Sequence, residues 1–450
     1  MKKNLRGMTL AALLLASTSA QAEINPYAET FVGDTATVGD QVATPVNHVA
    51  TPVTNYAPVS VGDLQPASYS SGGCDSGTCD SGTCDGGCDS GCDSGPIAKR
   101  MKERFNLCGR DGWIRSEALI MFMQDRYAPA LVTSNDPGLF TSLDQPGVVT
   151  EFGNSLDGGV SGGFRVDIGS YISDDFGVGG RFTWIGENGD DYAAAGTEPA
   201  ADRSLGVPFF DTNISAENAE IVNQDNLFAG NVQASFATEI YGAEAYARMA
   251  LLRTKEAKVE FLAGYSYWNL DDMISLTTSR VQTNPATGTT TNRFSLWEAE
   301  NEFNGGQLGF EMSMKRGRWS SRLLSKVHLG NMQRTVNIVG TSSQFTPPGA
   351  ATNTNSSLLV DARQGTQTSD EFAFIPEMNY TLGYRFRDHV SFTVGYNFMY
   401  FDEVALAGEQ INRVVDGTTA GQAVANPTNY TIRDGGLWVQ GINLGASIDY

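Results

Sequence analysis

Between residues 375 and 401 the chain reads IPEMNYTLGYRFRDHVSFTVGYNFMYF, and every second residue is large and mostly apolar. Before the turn these are Pro376, Met378, Tyr380, Leu382, Tyr384 and Phe386; after it, Val390, Phe392, Val394, Tyr396, Phe398 and Tyr400. The residues between are Glu377, Asn379, Thr381, Gly383 and Arg385, then Ser391, Thr393, Gly395 and Asn397. A period of two places one set on each face of an extended chain, so the stretch predicts two strands sharing a tight turn, one face oily and one wet.

The period recurs along the chain. GWIRSEALIMFMQ (112–124) sets Ile114, Ala118, Ile120 and Phe122 against Arg115 and Glu117. GFRVDIGSYI and FGVGGRFTWIG, joined by Ser173-Asp174-Asp175, oppose Phe164, Val166, Ile168, Val178, Phe182 and Trp184 to Arg165, Asp167 and Arg181. TEIYGAEAYARMALL and KVEFLAGYSYWNL meet across Arg253 to Ala257, and EFNGGQLGFEMSMK and RWSSRLLSKVHLG meet at Arg316-Gly317. With the hairpin above and GLWVQGINLGASIDY at 436–450, the count is ten strands of 9 to 15 residues. The boundaries admit eight to twelve.

Short and long connections alternate. The short ones hold about two to six residues; the long ones fall near 125–160, 188–235, 271–302, 332–371 and 402–435. Every long loop therefore sits at one end of the strands. Loops of that length are uncommon in a compact soluble domain, whereas an even strand count with short turns below and long loops above is the layout of a transmembrane barrel. The wet face carries charges of both signs beside glycines, as a polar lumen requires. The oily face carries Trp184, Trp319, Tyr384, Tyr400, Trp438 and Tyr450 near strand ends, where interfacial aromatics sit. The expected fold is all-β: a transmembrane antiparallel β-barrel of about ten strands, with short periplasmic turns and five long external loops. In hydrocarbon no backbone edge can stay unpaired, so the tenth strand must pair with the first.

Composition changes this picture only at the N-terminus. Residues 1–22 have a basic start (Lys2, Lys3, Arg6), an apolar stretch from Met8 to Ala16 and the small-residue site Ala20-Gln21-Ala22, the pattern of a secretory signal. Removing it leaves 27 basic against 51 acidic residues, net −24, a charge that repels nucleic acid. Residues 23–110 are low in periodic apolar positions and contain VATPVNHVATPVTNYAP and CDSGTCDSGTCDGGCDSGCDSG. Such a Pro/Thr- and Cys/Asp/Ser/Gly-rich segment buries too little to offset the entropy of ordering and is expected to be disordered and periplasmic. The barrel is assigned to 111–450.

Cys74, Cys79, Cys84, Cys88 and Cys92 recur at spacings of five, five, four and four, with Cys108 beyond. These spacings lack the paired C-x2-C of structural zinc. In an exported chain they read as disulfides or crosslinks to neighbouring chains, with metal binding by the recurring Cys-Asp pairs as the lesser alternative, so a tether to other envelope proteins through this segment is one functional reading.

The other readings concern the lumen, whose expected charged lining is Arg115, Glu117, Arg165, Asp167, Arg181, Glu244, Arg248, Glu260, Glu311, Lys315, Arg322, Lys326, Glu377 and Arg385. Ten strands lie near the width that side chains fill. Opposite charges there either pair and plug the barrel or line a narrow path for small solutes. A barrel hydrolase is a weaker reading. His48 lies in the lead and His389 in a turn, while His328 faces inward beside Lys326 with no Asp–His or Ser–His pair evident near the external loops. The acidic GENGDDY (186–192) lacks the ligand order of a calcium loop and reads as solvated loop. No catalytic residue, cofactor or metal is expected.

FAFIPEMNYTLGYRFRDHVSFTVGYNFMYFDEVALAGEQINRVVDG (372–417) and GLWVQGINLGASIDY (436–450) resemble the beta-barrel porin-7 family of outer-membrane proteins. So do GWIRSEALIMF (112–122), LVTSNDPG (131–138) and FNGGQLGFEMSMKRGRWS (303–320). The resemblance covers roughly 110–450. It implies an outer-membrane barrel in contact with lipid, delivered by the barrel-assembly machinery through its last strand. Family members commonly end in Phe, where this chain has Tyr450.

Overall fold

The computed structural model describes residues 112–195, 203–360, 364–387, 389–415 and 431–449. The signal segment, the low-complexity lead, all six cysteines and Tyr450 lie outside the described residues.

Sixteen strands are present among the described residues, in chain order. They begin with β1 (Gly112–Met123), β2 (Val132–Asn135), β3 (Val149–Phe152), β4 (Val160–Tyr171) and β5 (Phe176–Ala195). Next come β6 (Ser204–Asp211), β7 (Ala216–Asn223), β8 (Phe228–Arg253), β9 (Ala257–Gln282), β10 (Thr290–Arg316) and β11 (Trp319–Phe345). The last are β12 (Thr352–Thr354), β13 (Gly365–Arg387), β14 (Val390–Val404), β15 (Val414–Val415) and β16 (Gly435–Asp449).

Ten of these, β1, β4, β5, β8, β9, β10, β11, β13, β14 and β16, pair antiparallel with their neighbours into a closed barrel. The seam is β1 on β16, running from Trp113↔Asp449 to Met123↔Val439 without a slip. Closure leaves no edge, which is what a bilayer demands of a sheet.

The strands are longer than the periodicity marked. β8 and β9 each have 26 residues, and β10 and β11 each have 27. The connection expected at 271–302 is mostly strand, leaving 283–289 as its turn, and GENGDDY lies within β5. The reason is a reversal of the two faces partway up the wall. In the lower part of β10 the exposed residues are Leu308, Phe310, Met312 and Met314, while Gln307 and Glu311 are buried. Higher on the same strand Trp297, Ala299 and Phe303 are buried, and the intervening outward positions are Glu298, Glu300 and Glu302. On β9, Val259 and Phe261 face out below, and Trp268, Leu270, Ile274 and Leu276 face in above. On β11, Leu323, Val327 and Leu329 face out below, and Met332, Val336 and Ile338 face in above.

An apolar band about 25 Å tall takes roughly ten residues of a tilted strand, which the lower stretch supplies. The outer stretch of β10 rises roughly 30 Å above it as a wall that is wet outside and dry inside. It is built like a water-soluble barrel on top of a membrane one.

The external connections fill the dry part. β2, β3, β6, β7 and β15 form a second, five-stranded sheet in the order β15-β6-β2-β3, with β7 on β6. Leu131, Val132, Phe152, Leu205, Val207 and Phe209 from this cap share one core with Phe236, Ile274, Leu276, Trp297, Val336 and Ile338 of the wall. Polar pins fix the fit. Asp272 accepts from Arg126, from Thr238 Oγ1 at 2.6 Å and from the amide of Ala407 at 2.8 Å. Asn301 both donates to the carbonyl of Ala405, at 2.9 Å, and accepts from its amide, at 2.6 Å.

Candidate functional site

The lower lumen holds the charges that alternation placed there. Glu117, Arg165, Asp167, Arg181, Glu244, Arg248, Glu260, Glu311, Lys326 and Glu377 are all buried. Arg115 and Arg322 are half-buried beside them. Six carboxylates thus face six cations, and the pairing is continuous. Arg165 meets Glu117 at 2.6 Å, and Arg322 meets the same carboxylate at 3.3 Å. Arg181 spans Asp167 at 2.9 Å and Glu377 at 3.2 Å. Lys326 bridges Glu377, at 2.8 Å, to Glu244. Arg248 and Arg115 share Glu311 at 3.4 and 3.3 Å, and Arg248 also meets Glu260 at 3.3 Å. A buried charge is tolerated when it is paired and its remaining lone pairs are bonded. Neighbours supply such bonds to two of the acids: Trp113 Nε1 and Tyr246 Oη each donate to Asp167 at 2.6 Å, and Tyr171 Oη donates to Glu260 at 2.6 Å.

Lys315 and Arg385 face inward lower in the same lumen, at its mouth. They line an open vestibule of about 500 Å³ at the short-turn end, where Lys315 pairs with Asp449 at 3.3 Å. Inside the network the free space is about 10 Å³, room for about one water.

Above the charges the lumen changes character, which the sequence reading did not anticipate. Leu119, Met121, Ile240, Trp268, Leu270, Phe303, Met332, Ile375, Phe401 and Leu437 form an apolar layer across the barrel. Glycines make room for its rings and for those below. A methyl at Gly242 would overlap Trp268, and one at Gly169 would overlap Trp113. The glycines among the charges therefore accommodate aromatic rings. The signal was present in the sequence as the odd-numbered Trp113, Leu119, Met121 and Met123 of β1, on the same face as Arg115 and Glu117.

His328 sits where the charges meet the apolar layer. Its Nδ1 lies 2.8 Å from Ser266 Oγ and its Nε2 3.5 Å from a Glu377 oxygen, with Trp268 and Phe303 edge-on to the ring. Ser325, the serine nearest in sequence, is exposed on the outer face instead. A Ser–His–Glu chain is thus assembled from β9, β11 and β13, inside the barrel wall. Ser266 and His328 are 0% exposed and Glu377 3%, so no substrate-sized group reaches them in this structure. Glu244, His328 and Glu377 also bring donor atoms within 4.8 Å of one another. The Lys326 ammonium, bound to both carboxylates, fills the position a metal would take, so the set does not fit a divalent ion.

The acidic stretch 186–192 gives no enclosed site either. As part of β5 it turns Glu187, Asp190 and Asp191 to solvent.

A closed ten-stranded barrel with an apolar outer belt and an ion-paired lumen defines an outer-membrane β-barrel protein. Residues 113–450 match the model of the family described as "Putative beta barrel porin-7 (BBP7)". The chain belongs to that family and resides in the bacterial outer membrane. No curated protein matches it. Among solved structures it is similar to the outer membrane protease OmpT from Escherichia coli, at 7% identity and a TM-score of 0.36, covering 75% of this chain and 97% of that one. It is also similar to a Pseudomonas aeruginosa FadL homologue, at 8% identity and a TM-score of 0.19, covering 76% and 90%. A third is the toluene transporter TodX of P. putida, at 8% identity and a TM-score of 0.20, covering 76% and 90%. At such scores the likeness carries nothing about activity.

Proposed function

We propose that this protein is a plugged, non-conducting and non-enzymatic barrel whose task is structural: it holds a folded cap above the outer membrane. The observation that carries this reading is the unbroken filling of the bore. From the vestibule upward come six paired carboxylates and cations, then the apolar layer around Trp268 and Phe303, then the core under the cap sheet. A pore for small solutes needs a continuous wet path, and the apolar layer opposes one, since an ion crossing it would leave every partner behind.

Planar-bilayer recording of the full chain tests the reading. Silence across many inserted molecules is expected, and reproducible unit conductance would establish the narrow-pore alternative. Ester and peptide turnover assays test the rest of it. Activity lost in His328→Ala would mean that Ser266, His328 and Glu377 work as a hydrolytic chain in an opened form.

A further inference from the structure

The chain carries a formal net charge of −21, yet the periplasmic mouth of its barrel is basic. The bore network balances itself, six cations against six carboxylates. Among the described residues, those lining the vestibule below it add six cations, Arg253, Lys255, Lys258, Lys315, Arg318 and Arg385, against two further acids, Glu256 and Asp449. The lysines show the same bias. Residues 112–450 contain four: Lys255, Lys258 and Lys315 line the vestibule, and Lys326 sits in the network. Charge that served only solubility would be spread over the outer wall, whereas this charge is gathered in a cup.

Strand pairing sets the groups side by side. Arg253 of β8 lies directly opposite Lys258 of β9, Lys258 opposite Ser313 of β10, and Ser313 opposite Arg322 of β11. All four line the cavity. Each is a hydrogen-bond donor, and no carboxylate interrupts the row. Like charges directly opposite one another stand about 5 Å apart and repel, a cost that a bound anion would remove from Arg253 and Lys258. Lower down, Lys315 lies opposite Ser320 and Arg385 opposite Ser391, again cation beside hydroxyl. Compensation within the protein is incomplete. Arg385 and Lys255 have no ion pair among the described residues. Arg322 has one, at 3.3 Å, with a carboxylate that Arg165 already holds at 2.6 Å.

We propose that the vestibule binds a soluble oxyanion of two or more charges, reached from the periplasm, with Arg253, Lys258 and Arg322 as its principal contacts and the Ser313 hydroxyl between them. Guanidinium and ammonium groups form short, charge-assisted hydrogen bonds to phosphate and carboxylate oxygens. The cavity of about 500 Å³ has the size of a small-molecule pocket. Its donors face inward, so the source is a dissolved solute; a lipid headgroup meets the outer face. The ligand neutralises the surplus at the mouth without entering the bore, so the site stands whether or not the bore conducts.

The test is calorimetric titration of sodium pyrophosphate, and separately of sodium citrate, into the full chain in nonionic detergent at low salt. Saturable binding of at least one is expected, with a Kd below about 1 mM, and the tighter of the two identifies phosphate or carboxylate as the class. Added sodium chloride should weaken it, because the contacts are charged and open to solvent. Arg253→Gln with Lys258→Gln should weaken binding at least about tenfold. Arg203→Gln with Arg433→Gln, which removes the same charge from exposed positions on the external side, should leave it unchanged. A footprint on the wild type needs no variant: with the anion at about ten times its Kd, labelling of Lys258 by an amine reagent, read by mass spectrometry, should slow about tenfold. Absence of saturable binding by both anions overturns the proposal, as does equal loss in the two variants. So does a Lys258 labelled at an unchanged rate under saturating anion.

Discussion

Glu377 is the residue on which the lumen network converges, and neutralising it gives the sharpest test of the charge arithmetic. The residue is 3% exposed, and its carboxylate lies 2.8 Å from Lys326, 3.2 Å from Arg181 and 3.8 Å from Arg165. Glu377→Gln keeps the shape and leaves six cations facing five carboxylates in a sealed bore. Removing one partner of a buried pair costs about 3–5 kcal/mol. Each stranded cation keeps a second acid: Lys326 has Glu244, Arg181 has Asp167 and Arg165 has Glu117. The expected loss is therefore at the lower end, about 3 kcal/mol. Lys326→Met should cost a similar amount, but the double variant restores the balance and should be less damaging than the sum by about 2 kcal/mol. Urea unfolding of the barrel in lipid vesicles, followed by tryptophan fluorescence, measures all three. A loss below about 1 kcal/mol for Glu377→Gln, or strict additivity in the double variant, would refute the claim that these ions act as one neutral, buried set.

Other outcomes follow from the same geometry. Val394, at the middle of the outer belt of β14 and 47% exposed, should cost about 2–4 kcal/mol as Val394→Arg in the vesicle unfolding assay. Its neighbour Thr393→Arg, opening on the vestibule, should cost under about 1 kcal/mol. Trp297→Ala, in the core beneath the cap and 0% exposed, should lose about 3–5 kcal/mol locally. That loss should appear as faster proteolysis of the external segments while heat-modifiable gel migration persists. Burial and the carboxylates of Glu300, Glu239, Glu302 and Glu298 push Asp271, above the lipid belt, up to about 6. A raised carboxyl binds its proton more tightly in the folded state. Stability should therefore fall as pH rises from about 4 to about 6 and stay lower above that, by about 1 kcal/mol once solvent screening is allowed for. Melting temperatures at pH 4.5 and 7 check this, and Asp271→Asn should flatten the difference.

The sequence made the membrane-embedded half legible because Met378, Tyr380 and Leu382 alternate with Glu377, Asn379 and Thr381, and oily residues outside mean lipid. The strand count, the pairing of first with last and the interior position of twelve lumen charges all descend from that alternation. The upper half was hidden because the oily parity switches between Phe303 and Leu308 while the strand runs on. A reader tracking one greasy face sees Glu298, Glu300 and Glu302 arrive on it and ends the strand. The cap sheet is built from pieces of two to eight residues, too short for periodicity to register. The approach of Ser266 to His328, 62 residues apart and on strands separated by β10, comes from the curvature of the wall, which periodicity does not reveal.

The filled bore sets an order of events during biogenesis. The segments that become β2, β3, β6, β7 and β15 end on the far side of the bilayer, yet the finished cylinder leaves about 10 Å³ among its central charges. Those segments cannot thread through afterwards. They have to be translocated while β1 and β16 are still apart, so the zipping of that seam is the last irreversible step of insertion, and it locks the exported loops outside.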